Sequence, residues 1–138
     1  MIRGLFLLLC LLASWDAHAQ WDLSDVLPPT EFENIHVEKL ASDSLGTVFI
    51  IWVKSEVKSH LHQVHTESIY VLEGTGTMTV GDSTFTIHPG SFIFVPHETL
   101  HDVVVTSEAP LKVISIQSPE FKGKDRIFAG QLKRPDDY

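Results

Sequence analysis

HLHQVHTESIYVLEG, residues 60–74, holds three histidines and a glutamate within eight positions and then runs into an apolar stretch that ends at Gly74. Successive side chains of an extended strand alternate faces, so His60 and His62, two apart, are predicted to point the same way. A short turn at 63–66 would return Glu67 to that face on a neighbouring strand. Two imidazoles and a carboxylate directed at one point suit a divalent transition metal. Further along the chain, His101 is a fourth candidate ligand.

Composition limits the classes of protein that this chain can represent. Its 138 residues are enough for one domain, and 43% hydrophobic with 20% charged residues is the balance of a globular protein. The formal charge of −8 disfavours nucleic acid and anionic lipid as partners. We therefore expect a single globular domain with no nucleic-acid function.

The first nineteen residues have the pattern of a secretory signal peptide. Arg3 provides a positive start, residues 5–13 are apolar, and Ala17-His18-Ala19 is a small-x-small cleavage site before Gln20. The apolar run is short for a membrane span, so a retained anchor is the less favoured alternative. We expect a secreted or periplasmic protein without stable membrane insertion after cleavage. Cleavage would remove Cys10, the only cysteine, and with it any thiolate chemistry.

The mature chain divides into three segments by composition. Residues 20–34 contain Pro28-Pro29 and are predicted to be an N-terminal arm, and residues 119–138 carry proline, glycine and a charged stretch typical of an irregular C-terminal arm. Residues 35–118 between them show eight or more short β-type runs separated by turn residues, without helical periodicity. Such a pattern predicts an all-β sandwich or barrel. The expected strands are 35–40, 47–54, 57–62, 69–72, 77–80, 83–87, 91–95, 102–105 and 111–117.

Two motifs give the chain a resemblance to the cupins, small β-barrels of the jelly-roll class. The first motif is His-x-His, four residues, Glu, six residues and Gly, matched by His60, His62, Glu67 and Gly74. The second is Gly, five residues, Pro, three residues, then an apolar residue and His, matched by Gly90, Pro96, Leu100 and His101. Fifteen residues, 75–89, separate the motifs, and the resemblance covers roughly residues 48–117.

Two positions depart from the second motif. Glu98 stands where glycine is usual, at a position that tends to need a left-handed turn and costs a non-glycine residue about 1 kcal/mol. Val105 stands where asparagine is common, which would remove a polar group from one wall of the pocket. Neither departure removes a ligand.

The resemblance implies a jelly-roll β-barrel of short antiparallel strands with a mononuclear metal site. The implied ligands are His60, His62, Glu67 and His101, holding one divalent transition metal, with Mn, Fe, Ni, Cu and Zn all left open. His65 is an alternative to His60 in the ligand set, or else a residue that orients Glu67 or moves a proton.

Period-two alternation also predicts which apolar residues face the same cavity. The expected pocket wall consists of Ile69, Val71, Val103 and Val105.

The resemblance leaves several functions open, because cupins include enzymes, sugar binders and regulators. The leading interpretation is a secreted metal-dependent cupin of dioxygenase or isomerase type acting on a small organic molecule. A non-catalytic module that binds a sugar or an organic acid is the alternative, and a structural barrel that mediates assembly is a third. Family analogy also implies a homodimer, with the N-terminal arm as one contact.

Overall fold

The computed structural model describes residues 20–132, in which short β-strands account for almost all of the regular structure. A single 3₁₀ turn, Ala129–Gln131, follows the last strand. The strands are β1 Ile35–Asp43, β2 Gly46–Val53, β3 Glu56–His62, β4 Thr66–Glu73, β5 Gly76–Val80, β6 Ser83–Ile87, β7 Phe92–Val95, β8 His101–Val105, β9 Leu111–Ser118 and β10 Arg126–Phe128. The all-β prediction is confirmed, and the signal peptide predicted for residues 1–19 lies outside the described residues.

The strands form two antiparallel five-stranded sheets. One has the order β1-β2-β9-β4-β7 and the other the order β10-β3-β8-β5-β6. This arrangement is a jelly roll, as predicted, although the two sheets are not hydrogen-bonded into a closed barrel within the described residues. Both β3 and β8, which carry the motif histidines, lie inside the second sheet, where a neighbour on each side holds them in place.

The space between the sheets is filled by apolar side chains from both. Since burying one such side chain contributes roughly 1.5–3 kcal/mol, this layer supplies most of the driving force for folding. It also gives the sheets a rigid spacing, so that polar side chains at one end of the layer are held in fixed positions. The buried cluster consists of Val53, Ile69, Val71, Met78, Ile87, Ile93, Val95, Val103, Leu111 and Val113.

The segment before β1 is attached to the domain by a buried lysine. Lys112 on β9 donates from Nζ to the carbonyl of Leu23 at 2.8 Å and pairs with Glu73 Oε1 at 3.0 Å. The ammonium of Lys112 is thus satisfied although its side chain is almost fully buried.

The segment after β9 is more ordered than its composition suggested. Residues 126–128 form the edge strand β10 and pair with β3 at Leu61 and its neighbours. The proline, glycine and charged residues of this segment predict an irregular arm, and a three-residue run has no detectable alternation that would indicate a strand. The helical content of residues 20–132 is one short turn, so no helix in this range has the length or apolar character of a membrane span.

The two motif turns need special backbone conformations. Gly74 has φ of 77°, and a Cβ atom at this position would meet the carbonyl of Pro110 at 2.8 Å. Glu98 has φ of 59°, the left-handed conformation that the motif normally assigns to glycine. Its N–H donates to the carbonyl of His62 at 2.6 Å, so this turn is bonded to the strand that carries the histidines.

Candidate metal centre

Three histidine rings meet between the sheets at one end of the apolar layer. His60 and His62 lie on β3, and His101 opens β8 directly opposite His60 in the pairing register. Ring centroids are 4.2 Å apart for His60 and His101, 5.3 Å for His60 and His62, and 5.5 Å for His62 and His101. All three side chains are buried. Alternation along β3 and pairing with β8 therefore produce the cluster.

Backbone carbonyls orient two of these rings. Nδ1 of His60 donates to the carbonyl of Lys58 at 2.8 Å, and Nδ1 of His101 donates to the carbonyl of Thr99 at 3.0 Å. Because a carbonyl can only accept, Nδ1 carries a proton in each of these two rings. Burial, reinforced by the neighbouring His101, lowers the pKa of His60 to about 4, so its ring is neutral and able to bind a metal at neutral pH.

Glu67, near the start of β4, reaches the cluster from the opposite sheet. Its Oε2 lies 3.2 Å from Nε2 of His101 and 3.7 Å from Nε2 of His62. The hydroxyl of Ser115 on β9 donates to the other oxygen, Oε1. Burial works to raise the pKa of Glu67, but its contacts with His101, His62 and Ser115 outweigh burial and hold the pKa well below its usual range. The carboxylate is therefore anionic.

The donor set fits a metal cation. The ring nitrogens of His60, His62 and His101 that could bind an ion lie within 4.8 Å of one another. Both nitrogens of His62 and Nε2 of His101 are buried and have no hydrogen-bond partner within the described part of the chain. Buried polar atoms are normally satisfied, and these unpaired nitrogens beside a carboxylate could hold an ion that they would share.

His65 belongs to a neighbouring cluster rather than to the three-histidine group. Its Nδ1 donates to Asp125 Oδ2 and its Nε2 lies 3.0 Å from the carbonyl of Glu120. Burial opposes protonation, but these two hydrogen bonds, together with the Asp125 charge, raise the pKa of His65. In this structure His60, and not His65, lies with His62 and His101. The alternative role of orienting Glu67 has no contact to support it within residues 20–132.

Asp125 ties the turn after β3 to the C-terminal segment. Its carboxylate accepts from the backbone N–H groups of Val64 at 2.9 Å and His65 at 3.1 Å. Its Oδ2 also lies 3.4 Å from Nδ1 of His62, and His62, His65 and Asp125 form a second buried group whose ligand atoms lie within 4.8 Å. Since Nδ1 of His62 faces Asp125 and Nε2 faces Glu67, the ring connects the two groups.

Two polar residues on β9 were missed by the sequence reasoning. Ser115 holds Glu67, and Gln117 lies opposite Glu67 in the register, buried, with its Oε1 unpaired within the described residues. Alternation along β9 places both on the face of Leu111 and Val113. Polar residues on an otherwise apolar face were the signal that could have identified them.

A cavity adjoins the histidines and opens to solvent, with about 620 Å³ of empty space, including the open part. Two of the expected wall residues, Ile69 and Val103, line it. Val71 and Val105, which we expected in the same wall, pack in the apolar layer instead, because they lie further along their strands from the histidines.

Comparison with known families gives one domain match. The family model described as the cupin domain matches residues 47–117, just over half of the chain. This range includes the three histidines and Glu67 but ends before Asp125 and β10.

Similar curated proteins differ in what they do. An uncharacterised protein of Methanocaldococcus jannaschii is 32% identical over 76 residues, which cover 55% of this chain and 61% of that protein. A mannose-1-phosphate guanylyltransferase of Salmonella typhimurium is 33% identical over 51% of this chain and 15% of its own length. Quercetin 2,3-dioxygenase of Bacillus subtilis is 40% identical over 45 residues, or 33% of this chain and 13% of the enzyme. The chain therefore spans 61% of the first of these relatives and 15% or less of the other two.

Among solved structures, an uncharacterised conserved protein from Klebsiella pneumoniae with a double-stranded β-helix domain superposes with a TM-score of 0.69 at 14% identity. The superposition covers 80% of this chain and 96% of that one. At this identity the similarity concerns the fold alone.

Proposed function

Since the chain belongs to the cupin domain family, we propose that it is a mononuclear metal protein acting on a small organic molecule, with oxygenase-type chemistry as its leading activity. The ligands in this proposal are His60, His62, His101 and Glu67. The ion is one divalent transition metal among Mn, Fe, Ni, Cu and Zn, since nitrogen and oxygen donors without sulfur suit all of them.

The observation that carries the proposal is the convergence of unpaired buried nitrogens on Glu67. Nε2 of His101 is 3.2 Å from the Glu67 carboxylate and has no other polar partner within the described residues. The adjoining cavity gives a small molecule access to the same point. A closed structural site would need neither the cavity nor the opening.

The protein's own residues would prepare the site before any ligand arrives. The carbonyls of Lys58 and Thr99 hold two rings with Nε2 turned away from their own backbone, and Ser115 holds one oxygen of Glu67. When bound, the metal would supply Lewis acidity toward an oxygen atom of the substrate. The apolar wall containing Ile69 and Val103 would exclude bulk water around the reacting group.

Oxygen uptake with a panel of small organic substrates tests the enzymatic proposal. We expect at least one substrate to give metal-dependent turnover that His62→Ala abolishes while its circular dichroism spectrum is retained. The matched control is His97→Ala, because His97 is an exposed histidine outside the cluster. Equal turnover by His62→Ala would contradict the proposal.

A non-catalytic binding module is the second candidate, and the cavity lining favours it. Apart from the proposed ligands, the charged residues of that lining are Asp102 and Arg126, and the remainder is apolar. The described residues thus offer no obvious second acid or base at the metal. Saturable binding of a sugar or organic acid without turnover or oxygen uptake would support this candidate.

Export and self-association are further parts of the proposal. A mature N-terminus at Gln20, measured by mass spectrometry of natively expressed protein, would support secretion or a periplasmic location. A homodimer is favoured by large apolar side chains exposed on the outer face of β4, β7 and β9, and sedimentation analysis would test it. These side chains are Tyr70, Phe92, Phe94 and Ile116.

A further inference from the structure

The mouth of the cavity lies between the edge strands of the two sheets. β1 is the edge of one sheet and β10 the edge of the other, and both contribute to the cavity lining. On the β1 side the lining is apolar and solvent-exposed, with Ile35 39% and Val37 46% exposed. On the β10 side is Arg126, which among residues 20–132 is the only basic residue of the lining apart from the histidines.

The register of β10 directs Arg126 toward the histidines. Arg126 lies opposite His62, and Phe128 lies opposite His60. Residues directly opposite each other in an antiparallel pair share a face of the sheet, so Arg126 and Phe128 are on the histidine face. The Phe128 ring confirms this, since its centroid is 6.0 Å from that of His60.

The guanidinium of Arg126 is not neutralised by a neighbour. Within residues 20–132 no carboxylate oxygen lies within 4.0 Å of its nitrogens. Glu67 is engaged by His101 and Ser115. Asp102 also contributes to the lining, but alternation along β8 directs its side chain away from the inward-facing residues, and its carboxylate forms no ion pair with Arg126.

We propose that Arg126 is the anion-binding group of the cavity and that the ligand is a small organic carboxylate. Its carboxylate would pair with the guanidinium, whose planar fork matches two carboxylate oxygens. Its apolar body would lie against Ile35 and Val37, with its far end directed at the histidine cluster. Only this last contact rests on the proposed function. One cation in an apolar rim suits a monoanion better than the doubly charged phosphate group.

Calorimetric titration of the Zn²⁺-loaded and the metal-free chain with matched probes tests this inference. The probes are benzoate against benzamide, lactate against lactamide, and inorganic phosphate. We expect at least one carboxylate to bind more tightly than its amide, and Arg126→Gln to weaken that binding about tenfold. Arg126→Lys should bind the carboxylate more tightly than Arg126→Gln but less tightly than the wild type, because lysine keeps the positive charge and lacks the planar guanidinium group.

The control is Lys124→Gln, which removes the same charge from an exposed position two residues away and outside the cavity lining. It should leave carboxylate binding unchanged. The inference is overturned if no carboxylate is preferred over its amide, if phosphate binds best, or if Lys124→Gln weakens binding as much as Arg126→Gln. Metal content should be unchanged in Arg126→Gln. A wild-type chain that binds no metal would contradict the proposed metal function but would not contradict carboxylate binding by Arg126.

Discussion

Asp125 Oδ2 lies 3.4 Å from Nδ1 of His62, so a carboxylate from the C-terminal segment lies behind one ring of the histidine cluster. The contact is not a hydrogen bond in this geometry, since Nδ1 of His62 is not aligned with any hydrogen-bond partner among the described residues. A carboxylate behind a ligating histidine fixes the ring and increases its basicity. The family match ends at residue 117, so this contact is supplied from outside the matched region.

Asp125→Asn is expected to weaken metal binding about tenfold, because the substitution keeps the shape but removes the charge that faces His62. It should also lower the free energy of unfolding by about 1–3 kcal/mol, since one of the two oxygens that accept from Val64 and His65 is replaced by a donor. Competition with a chromophoric chelator measures the first effect, and urea denaturation measures the second.

Asp82→Asn, in the exposed turn between β5 and β6, is the matched control and should change neither quantity. If Asp125→Asn loses stability but binds metal as tightly as the wild type, Asp125 only holds the turn after β3 and does not support His62.

Ser115→Ala tests how Glu67 is held. Without the hydroxyl, Oε1 of Glu67 loses its donor and the carboxylate is free to rotate, so we expect the metal dissociation constant to rise about tenfold. The same chelator competition measures it, with Ser83→Ala on the exposed strand β6 as the control. An unchanged dissociation constant in Ser115→Ala would mean that Glu67 does not depend on this hydrogen bond.

Glu98→Gly is expected to stabilise the fold. A residue with a Cβ in the left-handed conformation destabilises the fold by about 1 kcal/mol, and glycine removes this strain. The greater freedom of glycine in the unfolded chain offsets about half of the benefit, so the free energy of unfolding should rise by about 0.5 kcal/mol. Thermal unfolding should show a melting temperature roughly 2 °C higher. Glu108→Gly, an exposed loop residue without positive φ, should instead lower it. A lower melting temperature for Glu98→Gly would show that the turn does not store this strain.

The parts of the fold and site that the sequence predicted are those governed by local pattern. Alternation predicts one face for His60 and His62, and the resemblance to the cupin motifs implies that Glu67 and His101 belong with them. Every strand from residue 35 to residue 117 had a local signal, in β-branched runs bounded by turn residues.

The rest depended on contacts between distant parts of the chain. Asp125 contacts His65 across sixty residues, from a charged stretch whose composition is typical of a surface loop. Arg126 and Phe128 acquire their direction from pairing with β3, which three residues cannot indicate by periodicity. Val71 was assigned to the pocket wall because alternation gives the face of a residue but not its depth in the layer.

Metal stoichiometry shows whether the histidine cluster holds an ion. Protein purified without chelator, incubated with each candidate ion and desalted, would be measured by inductively coupled plasma mass spectrometry alongside His101→Ala and His97→Ala. We predict close to one equivalent of at least one divalent transition metal per chain in the wild type and in His97→Ala, and a small fraction of that in His101→Ala. A wild-type chain that retains none of these metals, or a His101→Ala variant that retains as much as the wild type, would contradict a metal site at the histidine cluster.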